Sequence, residues 1–353
     1  MGVNLKDLIP DKCRVVIDDL RVLKGKTVAI DAYNALYQFL AAIRQPDGTP
    51  LMDSKGRVTS HLSGLFYRTI NIVEEGVKPV YVFDGKPPEM KAEELRRRSQ
   101  VKEEASKKYE EAVSSGDLEA ARKYAMISSK LTDTMVYSAK KLLDAMGIPY
   151  VEALSEGEAQ AAYLVINGDA WATASQDYDS LLFGSPRLLR NLTISGKRKL
   201  PGREEYIEVK PEIIELDNLL KELGIKRDQL IDIAILIGTD YNPDGVKGIG
   251  LKTAYKLIKE YGSLEKIPKA LLGNYSIDEL INIKSFFINP PVNKNYKISW
   301  NEPDQKKIID ILVNEYDFSE DRVKKAVERL VKAYRENLKA RQLGLDMWFT
   351  KKT

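Results

Sequence analysis

The chain has 353 residues, 43% of them hydrophobic and 30% charged, with a formal net charge of +3. No apolar run approaches the roughly 20 residues of a membrane span, and the first residues contain no signal-peptide core. A single cysteine, Cys13, excludes an intrachain disulfide and favours a reducing compartment. We therefore predict an intracellular globular protein, whose small net charge does not by itself indicate a nucleic-acid partner.

Three short apolar runs in the first half of the chain are each followed by aspartate. Their length, with helical stretches between them, predicts buried parallel strands of an α/β sheet. Since ligands bind at the carboxyl ends of such strands, we expect the acids to share one edge. A lone aspartate after a strand is usually a turn former or helix cap, but three such ends weaken that interpretation. The runs are Lys26–Ile30 before Asp31, Pro79–Phe83 before Asp84, and Ala170–Ala174 before Asp177 and Asp179.

The next stretch predicts a helical hairpin. Residues 89–146 contain no proline and one glycine, Gly116, so Glu89–Val113 and Asp117–Met146 are expected to be two helices joined by a turn. The first helix is dense in charge, and composition alone favours a solvated hairpin with local ion pairs. Such a hairpin buries little surface, so we expect it to be mobile until a partner binds.

Two glutamates precede the predicted helix Ala159–Ile166. Ser155 and Glu158 have the spacing of a capping box, and acids in a first helical turn interact favourably with the helix dipole. Taken alone, this structural interpretation is preferred. Within a helix Glu156 and Glu158 would point apart, so both reach one site only if Gly157 keeps the first turn loose.

The last third of the chain predicts two helices around a glycine-rich turn. Asp228–Ile237 forms the first helix, with Asp240 just after it, and Leu251–Tyr261 forms the second. Glycines allow close approach of a phosphate backbone, and the amides at a helix start point at the phosphate. A final helix is predicted over Glu320–Arg341, before a short tail.

Seven acids are candidates for one metal site. Crowded carboxylates raise one another's pKa, so the cluster is either partly protonated or bound to cations. Oxygen ligands favour Mg²⁺ or Mn²⁺, while one histidine, His61, and one cysteine cannot form an ordinary zinc site. Two such ions about 4 Å apart would promote phosphodiester hydrolysis. Asp177 and Asp179 are expected to face the same side of an extended segment. The candidates are Asp31, Asp84, Glu156, Glu158, Asp177, Asp179 and Asp240.

Seven short motifs are spread along the chain: Val28–Ala32, Pro79–Pro88, Met146–Tyr150, Ser155–Ala159, Phe183–Pro186, Gly238–Tyr241 and Gly248–Gly250. In this order they resemble the flap endonucleases of the XPG nuclease superfamily, and the combination is highly specific. The resemblance implies an α/β fold with a mostly parallel central sheet flanked by helices. It also implies a helical arch, formed by the hairpin, and a C-terminal helix-two-turn-helix region that binds DNA.

The resemblance further implies roles for individual residues. Lys91 and Arg98 match a basic pair on the helix that gates the active site, and being seven apart they share a helix face. Tyr37 matches the residue on which the family stacks a base, although Tyr37, Phe39 and Leu40 also form an ordinary core stripe. By the same resemblance, one metal would be bound by Asp31, Asp84 and Glu156, a second by Asp177, Asp179 and Asp240, with Glu158 between them.

Two further elements match the family. The glycine turn would grip downstream duplex and hold K⁺ on backbone carbonyls; its DNA-binding residues would be Lys247, Gly248, Gly250 and Lys252. The tail resembles the family's box for a PCNA-type sliding clamp, although Trp348 replaces the usual Phe or Tyr. The residues of that box are Gln342, Leu345, Trp348 and Phe349. Because no long basic extension follows, the chain resembles archaeal members, which would place it in the cytoplasm or nucleoid.

These observations predict a Mg²⁺-dependent 5′ flap endonuclease with 5′-3′ exonuclease activity, acting in Okazaki fragment maturation and repair. The expected domains are a nuclease core over residues 1–225 with the arch at about 86–140, a helical DNA-binding part over 226–341, and a clamp-binding tail over 342–353. The alternatives are another superfamily activity (a 5′ exonuclease or bubble endonuclease), a non-catalytic adaptor between clamp and DNA, and a phosphatase-like enzyme acting on small molecules.

Overall fold

The computed structural model describes residues 2–45, 48–194, 196–199, 206–273 and 275–350, and only the backbone at 197–199, 206, 207 and 339–350. The strands among these residues are β1 (Arg14–Val16), β2 (Thr27–Asp31), β3 (Lys78–Phe83), β4 (Tyr150–Glu152), β5 (Ala172–Ala174), β6 (Arg187–Arg190), β7 (Gly196–Lys199), β8 (Tyr206–Val209) and β9 (Glu212–Glu215).

Helices fill most of the remaining described chain, and none of those described is long and apolar enough to cross a bilayer. They are α1 (Ala32–Ala42), α2 (Ser60–Glu74), α3 (Ala92–Ser115), α4 (Leu118–Ile127), α5 (Asp133–Met146), α6 (Gly157–Ile166), α7 (Asp179–Leu182), α8 (Leu216–Leu223), α9 (Arg227–Ile237), α10 (Leu251–Tyr261), α11 (Ile277–Ile288), α12 (Gln305–Ile309) and α13 (Glu320–Thr350).

Seven strands form one sheet, in the order β1-β9-β6-β5-β2-β3-β4. The five strands from β6 to β4 are parallel, whereas β9 and β1 add an antiparallel edge. The three runs predicted from the sequence become the neighbours β5, β2 and β3, with Ile30 paired to Ala174 on one side and Tyr81 on the other. The predicted α/β fold with a mostly parallel sheet is confirmed, and three strand ends that precede acids lie side by side.

Three hydrophobic clusters of described residues hold this sheet: two join residues far apart in the sequence, and a smaller one packs Ala29, Val80 and Val82 against α6. One of the larger two packs β2 and β3 against α1, α2 and α5 and against the C-terminal helices α12 and α13. The other packs α6 to α11 against the first residues, including Val3 and Leu5. The strand residues Val28, Ile30 and Val82 are almost completely buried. The strand ends are therefore anchored in close-packed surroundings, which resist displacement.

The predicted hairpin differs from expectation in its second half. Its first helix forms as α3 after a 3₁₀ turn, and Gly116 ends it with φ +75°, a conformation that favours glycine. Asp117–Met146 is not one helix: the chain leaves helical conformation after Ile127, and the Thr132 hydroxyl accepts a hydrogen bond from the Met135 amide at 3.3 Å to cap α5. Thus α3 packs against α4 as the helical pair, while α5 belongs to the core.

The last helix also runs farther than predicted. Its backbone continues from Glu320 to Thr350 instead of ending at Arg341. The extra stretch contains no proline and one glycine, Gly344, which lowers helix propensity without ending a helix.

Candidate active site

The acids at the strand ends lie at one edge of the sheet. Asp31 is the last residue of β2, and its carboxylate also caps α1 by accepting a hydrogen bond from the Asn34 amide at 3.0 Å. Asp84 directly follows β3 and accepts a hydrogen bond from the Gly157 amide at 2.6 Å. The helix-cap interpretation of such an aspartate therefore holds for Asp31, and it coexists with a place in the cluster.

Glu156 and Glu158 both reach this edge, for a reason that the sequence did not reveal. Glu156 is the N-cap residue of α6 and is extended (φ −77°, ψ 127°), so it does not follow the helical geometry that would turn it away from Glu158. The predicted capping box is wrong, because the buried Ser155 hydroxyl has no hydrogen-bond partner among the described residues. The glycine at position 157 allows the Asp84 carboxylate to approach the start of α6, because a Cβ there would lie 2.6 Å from Asp84 Oδ1.

The segment after β5 is a turn and not an extended strand. Tyr178 is in the right-handed helical region and Asp179 begins α7, so the expectation that Asp177 and Asp179 share one side of an extended segment is wrong. Separate donors orient the two acids. Asn34 Nδ2 donates to Asp177 Oδ2 at 3.1 Å, and the Val3 amide donates to Asp179 Oδ1 at 2.7 Å. Sequence reasoning missed Asn34, although its position three residues after Asp31 was a usable signal.

Electrostatic coupling joins all seven acids. Burial, and then Asp240 and Asp177, raise the pKa of Asp179 to about 8. Burial, and then Asp179, Asp177 and Asp31, hold the pKa of Glu158 well above its ordinary value. The pKa values of three further acids are raised first by burial and then by carboxylates of the same cluster, although nearby cations oppose the shift; these are Asp31, Asp84 and Glu156. Adding a positive charge at this edge would relieve the repulsion.

Two cations from the start of the arch reach the same carboxylates. Lys91 Nζ lies 2.7 Å from Glu156 Oε2 and 3.1 Å from Asp240 Oδ2. The Arg98 guanidinium lies 2.6 Å from Asp240 Oδ1 and is also paired with Glu94 at 2.7 Å. Burial lowers the pKa of Lys91, but Glu156 and Asp240 raise it more, so the ammonium stays charged. The structure thus places the predicted basic pair against the acidic cluster.

The donor set fits divalent metal ions. All candidate ligands are carboxylate oxygens, which Mg²⁺ and Mn²⁺ prefer. Glu158 Oε1 is buried and has no hydrogen-bond partner in the described part of the chain, which is costly for a carboxylate unless a cation lies near it. Within the described ranges no three acidic, histidine or cysteine side chains are placed so that they could hold a metal ion without moving. Ion binding at this edge would therefore require the carboxylates to shift from their present contacts.

Tyr37 lies outside the core that its sequence stripe predicted. Phe39 and Leu40 are buried, but Tyr37 is half-buried on the face of α1 that meets the arch. Lys102 of α3 donates to the Tyr37 hydroxyl at 3.0 Å, and its ammonium lies 4.4 Å from the ring centroid. The core interpretation is wrong, and Lys102 is a contact that sequence reasoning did not single out.

The glycine-rich turn has the predicted helix-turn-helix arrangement, with α9 before it and α10 after it. Gly248 has φ +83°, and Gly250 is the N-cap residue of α10. Lys247 and Lys252 are exposed on either side. Side chains of the predicted clamp box (Gln342, Leu345, Trp348 and Phe349) lie outside the described ones.

Comparison with known proteins identifies the family. Residues 1–105 match the XPG N-terminal domain and residues 147–240 the XPG I-region. The protein named flap endonuclease 1 from Staphylothermus marinus is 68% identical over 99% of this chain and 100% of its own length. That from Hyperthermus butylicus is 63% identical over 99% of both. The solved flap endonuclease-1 from Methanococcus jannaschii matches with a TM-score of 0.75 at 47% identity, covering 95% of this chain and 99% of that one. The chain therefore belongs to the flap endonuclease family of XPG nucleases.

Proposed function

We propose that this protein is a structure-specific DNA nuclease that hydrolyses one phosphodiester at the base of a 5′ flap, with weaker 5′-3′ exonuclease action. Its family makes it a hydrolase of DNA phosphodiester bonds that serves replication and repair; Okazaki fragment maturation is the proposed setting. The observation that carries the proposal is the meeting of seven coupled carboxylates with two arch cations at one sheet edge.

The carboxylates would hold two metal ions, Mg²⁺ or, in substitution, Mn²⁺. The proposed ligand groups are Asp31, Asp84 and Glu156 for one ion, and Asp177, Asp179 and Asp240 for the other, with Glu158 between. When bound, such a pair supplies an activated water and positive charge at the leaving oxygen. The only histidine, His61, is buried in the core and bonded to Ser138, so it offers no base at this edge.

The arch cations would act on the phosphate. Lys91 and Arg98 already lie within hydrogen-bond distance of carboxylates that face the site. A scissile phosphate entering there would replace a carboxylate as their partner, because an anion with several free oxygens can accept both donors. Their charge would then offset the charge that develops in the transition state.

Other groups would hold the rest of the substrate. The exposed Lys247 and Lys252, with backbone amides at Gly248 and Gly250, would bind phosphates of the downstream duplex, and K⁺ would bind on carbonyls of this turn. Tyr37 lies on α1, the helix that Asp31 caps, and contacts the arch through Lys102, so we propose that its half-buried ring stacks against a base beside the cut.

A cleavage assay tests the proposed function. Wild-type protein would be incubated with Mg²⁺ and 5′-labelled single-flap, double-flap and blunt duplex DNA. We expect one main product from each flap, cut at the junction, and slower shortening of the blunt end. Binding of all three DNAs without cleavage would identify an adaptor, and equal cleavage without junction preference would identify a simple 5′ exonuclease.

The tail supports a separate proposal, recruitment by a sliding clamp. Leu345, Trp348 and Phe349 have the i, i+3, i+4 spacing by which one helical turn inserts anchors into an apolar groove, and the backbone there is helical. Replacing both aromatics (Trp348→Ala with Phe349→Ala) should remove clamp binding and clamp stimulation without changing clamp-free cleavage. Stimulation that persists in this double variant would show that the tail is not the docking element.

A further inference from the structure

The backbone of the turn that carries Asp177 is held on both sides at Gln176. The Gln176 amide donates to Asn34 Oδ1 at 3.3 Å, and its carbonyl accepts a hydrogen bond from Arg190 Nε at 3.2 Å. Asn34 lies in α1 and Arg190 at the end of β6, so two separate elements hold opposite sides of one backbone unit. Such a turn cannot move without breaking contacts to both.

Arg190 is itself fixed on three sides. Its guanidinium lies 4.4 Å from the Tyr178 ring centroid and 2.5 Å from Glu212 of β9. Glu212 is 3.5 Å from Arg14 of β1, which donates to the Tyr178 hydroxyl at 3.4 Å. The Arg190 and Glu212 side chains are only 17% and 15% exposed, so solvent screens this pair weakly. Because Arg190 is immobilised in this way, its hydrogen bond to the Gln176 carbonyl can set the position of the turn.

Asn34 connects acids proposed for different ions. Its backbone amide donates to Asp31 and its side-chain amide donates to Asp177. Gln38 donates to the Asn34 oxygen and is oriented in turn by Thr193, whose hydroxyl donates to Gln38 Oε1 at 2.8 Å. The amide group of Asn34 therefore cannot rotate freely, and it fixes the direction in which Asp177 presents its carboxylate.

We propose that Asn34 and Arg190 are positioning residues of the metal centre, which hold the Gln176 turn so that Asp177 and Asp179 face the ion. This inference rests on the proposed two-metal function. Neither residue is a proposed ligand. Groups that orient ligands in this way typically change metal affinity or activity by about 10- to 100-fold when they are removed.

The chain offers a control on the same strand that makes the same kinds of contact but is more exposed. Arg187 of β6 lies 5.1 Å from the Trp171 ring centroid, donates to the Trp171 carbonyl at 3.3 Å, and is 3.5 Å from Glu215 of β9. It thus repeats the aromatic, carbonyl and glutamate contacts of Arg190. Its carbonyl partner, however, lies just before β5, at the end of the strand opposite to the turn that carries the acids.

The test is a calorimetric titration of DNA-free protein with Mn²⁺. We expect Arg190→Ala and Asn34→Ala each to raise the dissociation constant about 10- to 100-fold, and Arg187→Ala to leave it within about twofold of wild type. Arg190→Lys keeps the positive charge but loses the planar guanidinium that stacks on Tyr178 and donates in several directions, so this variant should also bind Mn²⁺ weakly. Wild-type affinity in both Arg190→Ala and Asn34→Ala would overturn the proposal.

Two comparisons separate a positioning role from a simple charge effect and from misfolding. If Arg190 acted only as a nearby positive charge, Arg190→Ala would bind Mn²⁺ more tightly than wild type, and Arg190→Lys would equal it. Melting of the metal-free variants checks folding, and Asn34→Ala probes the turn from a different element. Asp179→Ala tests the underlying metal site. If this variant binds Mn²⁺ as wild type does, the two-metal function fails. If it loses Mn²⁺ binding while the Arg190 and Asn34 variants bind as wild type does, only the positioning role is contradicted.

Discussion

The acid-bearing sheet edge and the helical arch contribute to the same site but are built in different ways. The edge is backed by β2, β3 and β5, in which Val28, Val82 and Ala172 are almost fully buried. The arch helices α3 and α4 bury only small side chains, namely Ala105, Ala112, Ala121 and Ala125. Alanine buries little apolar surface, so the arch gains far less from packing than the edge does.

The difference indicates how each region holds its functional groups. The core fixes the strand ends of the edge before any ligand binds, although the carboxylates they carry can still shift. Ion pairs and hydrogen bonds place the arch, through Lys91 to Glu156, Arg98 to Asp240 and Lys102 to Tyr37. An exposed pair between Arg97 and Asp244 adds a contact to the glycine-rich turn. The edge should therefore determine whether cleavage occurs, whereas the arch should modulate its rate.

Among changes that slow cleavage without abolishing it, the largest effect is expected from Glu158→Gln at the edge. This change keeps shape but removes the charge between the two proposed ions. Loss of several kcal/mol of transition-state stabilisation corresponds to a rate about 10³-fold lower. Single-turnover cleavage of a 5′ flap in Mg²⁺ measures it, with the exposed Glu152→Gln as control. A rate within tenfold of wild type would remove Glu158 from the metal centre.

A smaller loss is expected from the arch. Lys91→Ala and Arg98→Ala should each slow single-turnover cleavage about 10²-fold, as removal of a transition-state donor typically does. DNA affinity should fall much less. The neighbouring Arg96→Ala, on an exposed face of α3, serves as control. An affinity loss equal to the rate loss would make Lys91 and Arg98 simple phosphate anchors.

A weaker effect on cleavage is expected from changing Tyr37, which lies between the edge and the arch. Tyr37→Ala should lower kcat/KM about tenfold, since stacking of one base on an aromatic ring contributes about 1 to 3 kcal/mol. Tyr37→Phe keeps the ring and loses only the hydrogen bond from Lys102, so it should remain close to wild type. If Tyr37→Phe lowers kcat/KM as much as Tyr37→Ala does, the hydroxyl contact with Lys102 is what matters, and base stacking is not.

The smallest effect concerns the stability of the edge without metal. The pKa of Asp179 is raised from 3.8 to about 8 in the folded protein. The stability contributed by its protonated form is thus fully present below pH 3.8 and is lost as the pH rises towards 8. In EDTA, Tm should fall by a few degrees between pH 5 and 8, and less in Asp179→Asn. Parallel Tm profiles for the two proteins would contradict this coupling.

The sequence predicted the positions of acids that follow regular strands. Asp31 and Asp84 could be placed because short apolar runs define strand ends, and parallel strands align those ends. Turn geometry could not be predicted in this way. The helical Tyr178 is contacted by Arg14 and Arg190, and the extended Glu156 by Lys91. No local sequence pattern contains these distant partners.

The same limit explains the errors on helical surfaces. The apolar stripe of α1 correctly placed Phe39 and Leu40, but Tyr37 meets a helix that lies 65 residues away in the chain. The break before α5 depends on the side-chain cap of Thr132, a polar residue that equally suits an exposed helix face. Local propensity thus predicted which segments form helices, whereas tertiary contacts determine which helix faces are buried and where the helices end.

Asp179→Ala provides the most direct test of the central claim, that the sheet edge performs the chemistry while DNA is held elsewhere. Cleavage of a 5′ flap in Mg²⁺ and flap affinity in EDTA would be measured on the same preparations of variant and wild type. We expect cleavage to be abolished and affinity to change less than about threefold, because binding depends on distant phosphate contacts. Near-normal turnover in the variant would contradict the account.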